Sequence, residues 1–321
     1  MNATKPKEMF VKSCQVLNDR EELIVDFPSM ESQLEHVIML VLCVLFFFIS
    51  VILNGVSAVT ILTTPILKDK ISYLTVMVKS IIDFILGLTI LPQYIVLLAM
   101  EIAGNPNCVA YLFAKKLGVL LYIYSVTALS AMNFERYMAT IHPVTHRNKF
   151  KKEKLLMYLL FVSLFATVLF GLSFIYVNIL PFVLAATVLL LIASTIYVYT
   201  MISISRVRYW IKSRNAIGPQ NIAETNDRTR QFWRSMKSSN EFKVASWCLL
   251  IVVFTLSCIL PSTVSYTNRL GTQPSYSAVS KRRHYSLLIL FNSALNPVIF
   301  FWKNKTLRTA AIKMLRRQIE N

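Results

Sequence analysis

Seven long apolar tracts, each set off from the next by polar or charged residues, constrain this chain more than any other feature. A helix needs about 20 residues to cross roughly 30 Å of hydrocarbon. Tracts of that length fall near 34–62, 71–99, 109–140, 155–177, 179–205, 242–266 and 285–302. Residues 155–202 form one nearly unbroken apolar run, too long for a single helix. Asn178 and Pro181 mark the expected break, without which there would be six spans rather than seven. With 55% hydrophobic residues and a mean hydropathy of +0.54, the chain reads as an all-α membrane protein, a seven-transmembrane helix bundle.

The charge distribution orients the bundle. Connections 64–72, 137–154, 203–243 and 303–321 carry 22 lysines and arginines, against 10 in the amino-terminal segment, at 115–116 and in 267–284. The richer side is expected to be cytoplasmic, which places the amino terminus outside. The net charge of +18 is spread over four loops without a continuous stripe, so it suits a lipid bilayer and not a nucleic acid. Residues 1–33 are read as an extracellular segment, 34–302 as the membrane domain and 303–321 as a cytoplasmic tail. Over Lys303–Arg317, basic and apolar residues alternate at helical spacing, with Leu307, Ala311, Met314 and Leu315 near one face. This predicts a short amphipathic eighth helix on the anionic inner leaflet.

The polar segment 1–33 shows no cleavable signal peptide, so the first span is expected to act as its own insertion signal. Asn2, in Asn2-Ala3-Thr4, is a candidate glycosylation site, whereas Asn304 is predicted cytoplasmic and unmodified. Cys43, Cys248 and Cys258 lie inside spans as small packing residues. Cys14 and Cys108 both fall on the predicted outer side, where they are either a disulfide pair or two free thiols.

Charge inside the apolar tracts is costly and therefore informative. The third tract closes on Glu135-Arg136-Tyr137, and the second carries Asp83 mid-membrane, where a carboxylate must be neutralised, paired or bound to a cation. Lys79 stands one helical turn before it and could satisfy the carboxylate in place of an ion.

These residues, in this order, resemble the rhodopsin-like G-protein-coupled receptors. Asn54 in the first span, Asp83 in the second, Glu135-Arg136-Tyr137 closing the third, Pro261 in the sixth and Asn296-Pro297 in the seventh match the family's anchors over roughly 34–317. The resemblance implies a plasma-membrane receptor that binds an extracellular ligand and activates a heterotrimeric G protein. It implies that Ser125, Asn292, Ser293 and Asn296 face Asp83 and, with Asn54, form either an allosteric sodium site or an ion-free polar core. It also implies a switch in which Arg136 meets Glu241 at the base of the sixth span, with Tyr199, Asn296, Pro297 and Phe300 taking part. The plainer alternatives are a solvated Glu241 and packing aromatics.

The chain departs from the family at several points. Phe300 replaces a tyrosine, Ile259 a tryptophan, Thr255 a phenylalanine and Leu191 a proline. The connection between the fourth and fifth spans is almost absent and holds no cysteine to pair with Cys108. Gly118 stands where amine receptors place an aspartate, and Leu290 where opsins place the retinal lysine. In the family's register Lys116, Gly118, Tyr122, Thr263, Tyr266, Arg282 and Ser286 line a ligand cavity. Lys115, Lys116, Lys281, Arg282 and Arg283 at the extracellular ends suit either an anionic or acidic-peptide ligand, or solvent and lipid.

The competing reading is a polytopic transporter or channel in which Lys79 and Asp83 carry a proton or ion. No internal repeat supports it, and Lys79/Asp83 is the one obvious acid–base pair within the spans. An enzyme is disfavoured, since there is no nucleophile motif and no His, Cys or carboxylate cluster at metal spacing; His36, His142, His146 and His284 lie at boundaries or in a loop.

Overall fold

The computed structural model describes residues 10–16, 19–149, 151–176, 179–215, 240–267 and 275–320. Its backbone opens with an antiparallel hairpin, β1 (Val11–Val16) and β2 (Asp19–Ile24), in which Val11 lies opposite Ile24 and Cys14 opposite Glu21. The helices that follow are α1 (Met30–Thr63), α2 (Pro65–Lys68), α3 (Ile71–Ile102), α4 (Cys108–Ile141), α5 (Pro143–Lys149), α6 (Lys152–Leu172), α7 (Ile179–Asn215), α8 (Asn240–Thr267), α9 (Tyr276–Lys303) and α10 (Lys305–Glu320).

Among the described residues, seven helices are long and apolar enough to cross a membrane: α1, α3, α4, α6, α7, α8 and α9. Their outward faces are apolar as well. Leu160 and Phe161 on α6 and Leu189 and Leu190 on α7 are largely exposed, a surface that water would not tolerate and lipid would. This is a multi-pass helical membrane protein.

Side-chain caps start several helices: Ser29 accepts from the Ser32 amide, Asn107 from Ala110 and Ser275 from Ala278. Gly104, with φ of 71°, turns the chain between α3 and α4 in a left-handed conformation that a side chain would strain. The expected break in the long apolar run falls between Leu172 and Ile179, with Pro181 in the first turn of α7, where its missing amide costs nothing.

Helix α4 is the most buried span and packs against α3, α6, α7 and α8; α1 packs on α3 and α9, and α9 on α8. The largest apolar cluster joins Leu129 and Met132 of α4 to Leu191 of α7, Val252 and Ile259 of α8 and Phe300 of α9. Gly87 lets α1 and α3 approach closely, since a Cβ there would stand 2.9 Å from Ser50 Oγ.

Two expectations need correction. Segment 1–33 is partly the hairpin, and its last residues, Met30–Gln33, already belong to α1. The spans are also longer than hydropathy alone suggests: α3 continues to Ile102, past residue 99, and α9 begins at Tyr276, well before 285. In α10, Leu307 and Ala311 are buried and the Thr60 and Thr63 hydroxyls of α1 contact Met314 Sδ, but Leu315 points outward.

Candidate functional site

Polar residues gather at three levels along the bundle. At the middle level, Lys79 and Asp83 are both fully buried on α3, with Lys79 Nζ 2.5 Å from Asp83 Oδ2. The Ser125 hydroxyl donates to Asp83 Oδ1 at 3.1 Å, and the Asn296 amide donates to Oδ2 at 2.9 Å. Ser50 and Ser293 hydroxyls reach the Asp83 carbonyl oxygen, and Asn54 donates to the carbonyls of Ser50 and Ser293. Helices α4 and α9 thus meet α3 at the Asp83 carboxylate, and α1 joins them at the Asp83 backbone carbonyl. Asn292 belongs to a different contact, accepting from the Thr255 hydroxyl of α8 at 2.9 Å.

These residues do not fit a sodium ion. Both Asp83 oxygens already accept hydrogen bonds, one of them from an ammonium, and a second cation there would meet a like charge in a low-dielectric site.

At the level where α4 ends, Arg136 Nε donates to Glu135 Oε2 at 2.5 Å, and His146 Nε2 of α5 lies 3.1 Å from Glu135 Oε1. Glu135 and Arg136 are both buried. The Tyr137 ring stacks edge-on against His142 and lies beside Tyr197. Tyr199 and Phe300 pack in the large apolar cluster, Asn133 donates to Thr195 of α7, and Pro297 sits within α9. Glu241 is in the first turn of α8 with its side chain outside the described residues, as are the Tyr266 side chain and Asn2.

The third level is at the hairpin. Cys14 and Cys108 are joined by a disulfide that fastens β1 to the start of α4. Leu23 packs with Leu97, Tyr111 and Ala114, and Val11 and Ile24 pack with Val279. Beneath them Arg283 of α9, fully buried, grips Glu101 of α3 with two nitrogens, Nε at 3.0 Å and Nη2 at 2.5 Å. Its guanidinium lies 4.1 Å from the Tyr111 ring centre and donates to a tyrosine hydroxyl, again that of Tyr111. The Tyr94 hydroxyl donates to the Arg283 carbonyl, and Glu101 also accepts from the Ile24 amide. The hairpin's acids complete the array: Glu21 pairs with Lys115, Glu22 with Arg282, and Asp19 with Lys116 at 3.4 Å. Lys116 further donates to the Ser173 carbonyl at 2.6 Å.

A cavity of about 690 Å³, counting its open mouth, lies beside this array between α3, α4, α7 and α9. Of the residues expected to line a cavity, Gly118, Tyr122 and Ser286 do so. Lys116 and Arg282 are instead turned to hairpin acids, the Thr263 hydroxyl bonds the Ile259 carbonyl, and Lys115 is the basic residue in the wall.

No family model matches this sequence, and no curated protein matches it.

Sequence reasoning missed Glu101 and the acids Asp19, Glu21 and Glu22, and named one interior acid–base pair where the bundle buries more. The signal was available as two charges at tract ends, Glu101 just past one apolar tract and Arg283, in the basic run Lys281-Arg282-Arg283, just before another. Each ends a tract only while the other is out of view; paired, they allow both helices to extend.

Proposed function

We propose that the protein is a rhodopsin-like receptor of the plasma membrane, with its hairpin end outside, in which an extracellular ligand shifts a two-state bundle and opens a G-protein site near Arg136. The observation that carries this reading is the convergence of Asn54, Asp83, Ser125, Ser293 and Asn296, from four helices, on one buried polar cluster. Asn54, Asp83 and Asn296 are residues on which the family resemblance rests, and Ser125 and Ser293 are ones the resemblance places beside Asp83. The disulfide at the hairpin agrees with an oxidising outer face, and the excess of basic residues at the other end with a cytoplasmic one. Helix α10, with Leu307 and Ala311 packed inward and a basic outer face, suits the inner membrane surface.

In this reading Glu135 holds Arg136 in the resting state, and His146 holds Glu135 in place. Substituting Glu135 by Gln releases Arg136 toward a G protein. Agonist-independent guanine-nucleotide exchange, measured over a panel of G proteins at matched surface expression, tests it. Exchange should rise in Glu135→Gln and vanish in Arg136→Ala. Exchange equal to that of empty membranes in wild type and both variants would sink the receptor reading and favour a transporter using Lys79 and Asp83, to be sought by flux into vesicles.

A further inference from the structure

From the cavity at the hairpin end and the charges at its mouth, we infer that its ligand is a single-chain anionic amphiphile, a carboxylate or phosphate head on an alkyl chain, whose head takes the place of Glu21 on Lys115. The inference names the ligand class for the receptor reading above and rests on it for its signalling consequence.

The wall sets the chemistry. Leu86, Ile90, Leu97, Val119, Leu184 and Leu290 make it apolar, and among the described residues no carboxylate lines it, so a protonated amine would find no counter-ion in that wall. Among the described residues the wall carries a single cation, Lys115, near the Glu21 carboxylate that already neutralises it. An anionic head would therefore exchange one oxyanion for another on Lys115, and the displaced Glu21 carboxylate, buried in this structure, would have to turn out to water. Three other described cations near the hairpin are held by their own partners: Arg283 by Glu101, Arg282 by Glu22, and Lys116 by Asp19 and the Ser173 carbonyl. The hairpin thus works as an internal competitor. Its backbone is fastened by the Cys14–Cys108 disulfide and by Leu23 and Ile24, while one side chain, Glu21, covers the site a ligand head would use. Gly118 widens the cavity, since a Cβ there meets only Ile90 Cγ2, at 3.6 Å.

The test uses the full chain in lipid nanodiscs and equilibrium binding of radiolabelled decanoate, decyl phosphate, decanol and decyltrimethylammonium, each corrected against empty nanodiscs. Decanoate or decyl phosphate should bind saturably, with the stronger head identifying a fatty-acid or a phosphate source. Each methylene added between six and ten carbons should tighten binding about fourfold. Lys115→Gln should weaken the anionic probes at least tenfold and leave decanol unchanged, and Glu21→Gln should strengthen them. Gly118→Leu, which leaves the Lys115–Glu21 pair intact, should abolish binding of every probe, and it stands in for Lys115→Gln if that variant fails to fold. Equal binding of the cationic probe, no saturable anion binding in wild type, or binding indifferent to Gly118→Leu would overturn the inference. Binding is read without a G protein: saturable binding with no nucleotide exchange would retain the inference and remove the receptor reading, and exchange evoked by another compound with no amphiphile binding would do the reverse.

Discussion

Lys79 Nζ lies 2.5 Å from Asp83 Oδ2, one turn apart on α3, with both side chains 1% exposed or less. A lysine preceding its acid by four residues is the weaker orientation on an isolated helix. What holds the pair is burial together with Ser125 and Asn296, which satisfy the remaining lone pairs of the carboxylate. The ammonium occupies the place where a free cation would otherwise be needed.

The first prediction concerns that substitution of ammonium for ion. The melting temperature of the wild type should be the same in sodium chloride as in N-methylglucamine chloride at equal ionic strength. Lys79→Met should lower stability by about 3 kcal/mol or more, because it strands a buried carboxylate. Sodium should then raise its melting temperature, since an ion bound only by the folded state stabilises it. Lys79→Met combined with Asp83→Asn should recover most of the loss and show no sodium effect.

Glu101 and Arg283 offer a second test. Each single change, Glu101→Gln or Arg283→Met, removes one half of a buried pair and should cost about 3–5 kcal/mol in a denaturation experiment. Combining Glu101→Leu with Arg283→Met should be milder than either single change. Arg283→Lys should not restore wild-type stability, because one ammonium cannot make the two-nitrogen grip on Glu101 and also reach Tyr111.

Release of the hairpin is the third. Cys14→Ser or Cys108→Ser opens a loop of sequence separation 94. Chain entropy alone sets an upper bound of about 4–5 kcal/mol for such a closure. The visible effect should be local, with faster amide exchange over Val11–Val16 and Asp19–Ile24 and little change in α3 at Asp83, about 27 Å along the helix from Glu101 at about 1.5 Å per residue.

The contact between α1 and α3 supplies the fourth. Gly87→Ala would push a methyl to 2.9 Å from Ser50 Oγ, which is itself tied to Asp83, Asn54 and Ser293. The overlap should cost about 1–3 kcal/mol in thermal unfolding. Removing the obstructing hydroxyl with Ser50→Ala in the same chain should return part of it, whereas an additive loss would place the strain elsewhere.

The middle polar level was the most legible part of the candidate site. Asp83 and Lys79 stand out because charged residues in apolar helices must find partners, while Ser125, Ser293 and Asn296 were expected beside them only through the family resemblance. Asn292 was assigned to the same cluster, but a hydroxyl on α8, from Thr255, holds it instead. Helical periodicity leaves that choice open, since neighbouring positions on a helix differ only by rotation. The hairpin end was the least legible. A short, charged strand pair has no long-range hydrophobic signal, and its acids look solvated until the basic residues of α4 and α9 are placed beside them.

The sequence by itself determined the membrane environment and the number of long apolar helices, because hydrocarbon demands runs of about 20 apolar residues whatever surrounds them. It also limited where charge could be tolerated. Tertiary structure alone decided which charges are partners: Glu101 with Arg283, Glu21 with Lys115, Glu22 with Arg282. These partners are 182, 94 and 260 residues apart. A charge survives burial only through a partner within a few ångströms, and distance in space is set by how helices pack, which no local pattern along the chain records.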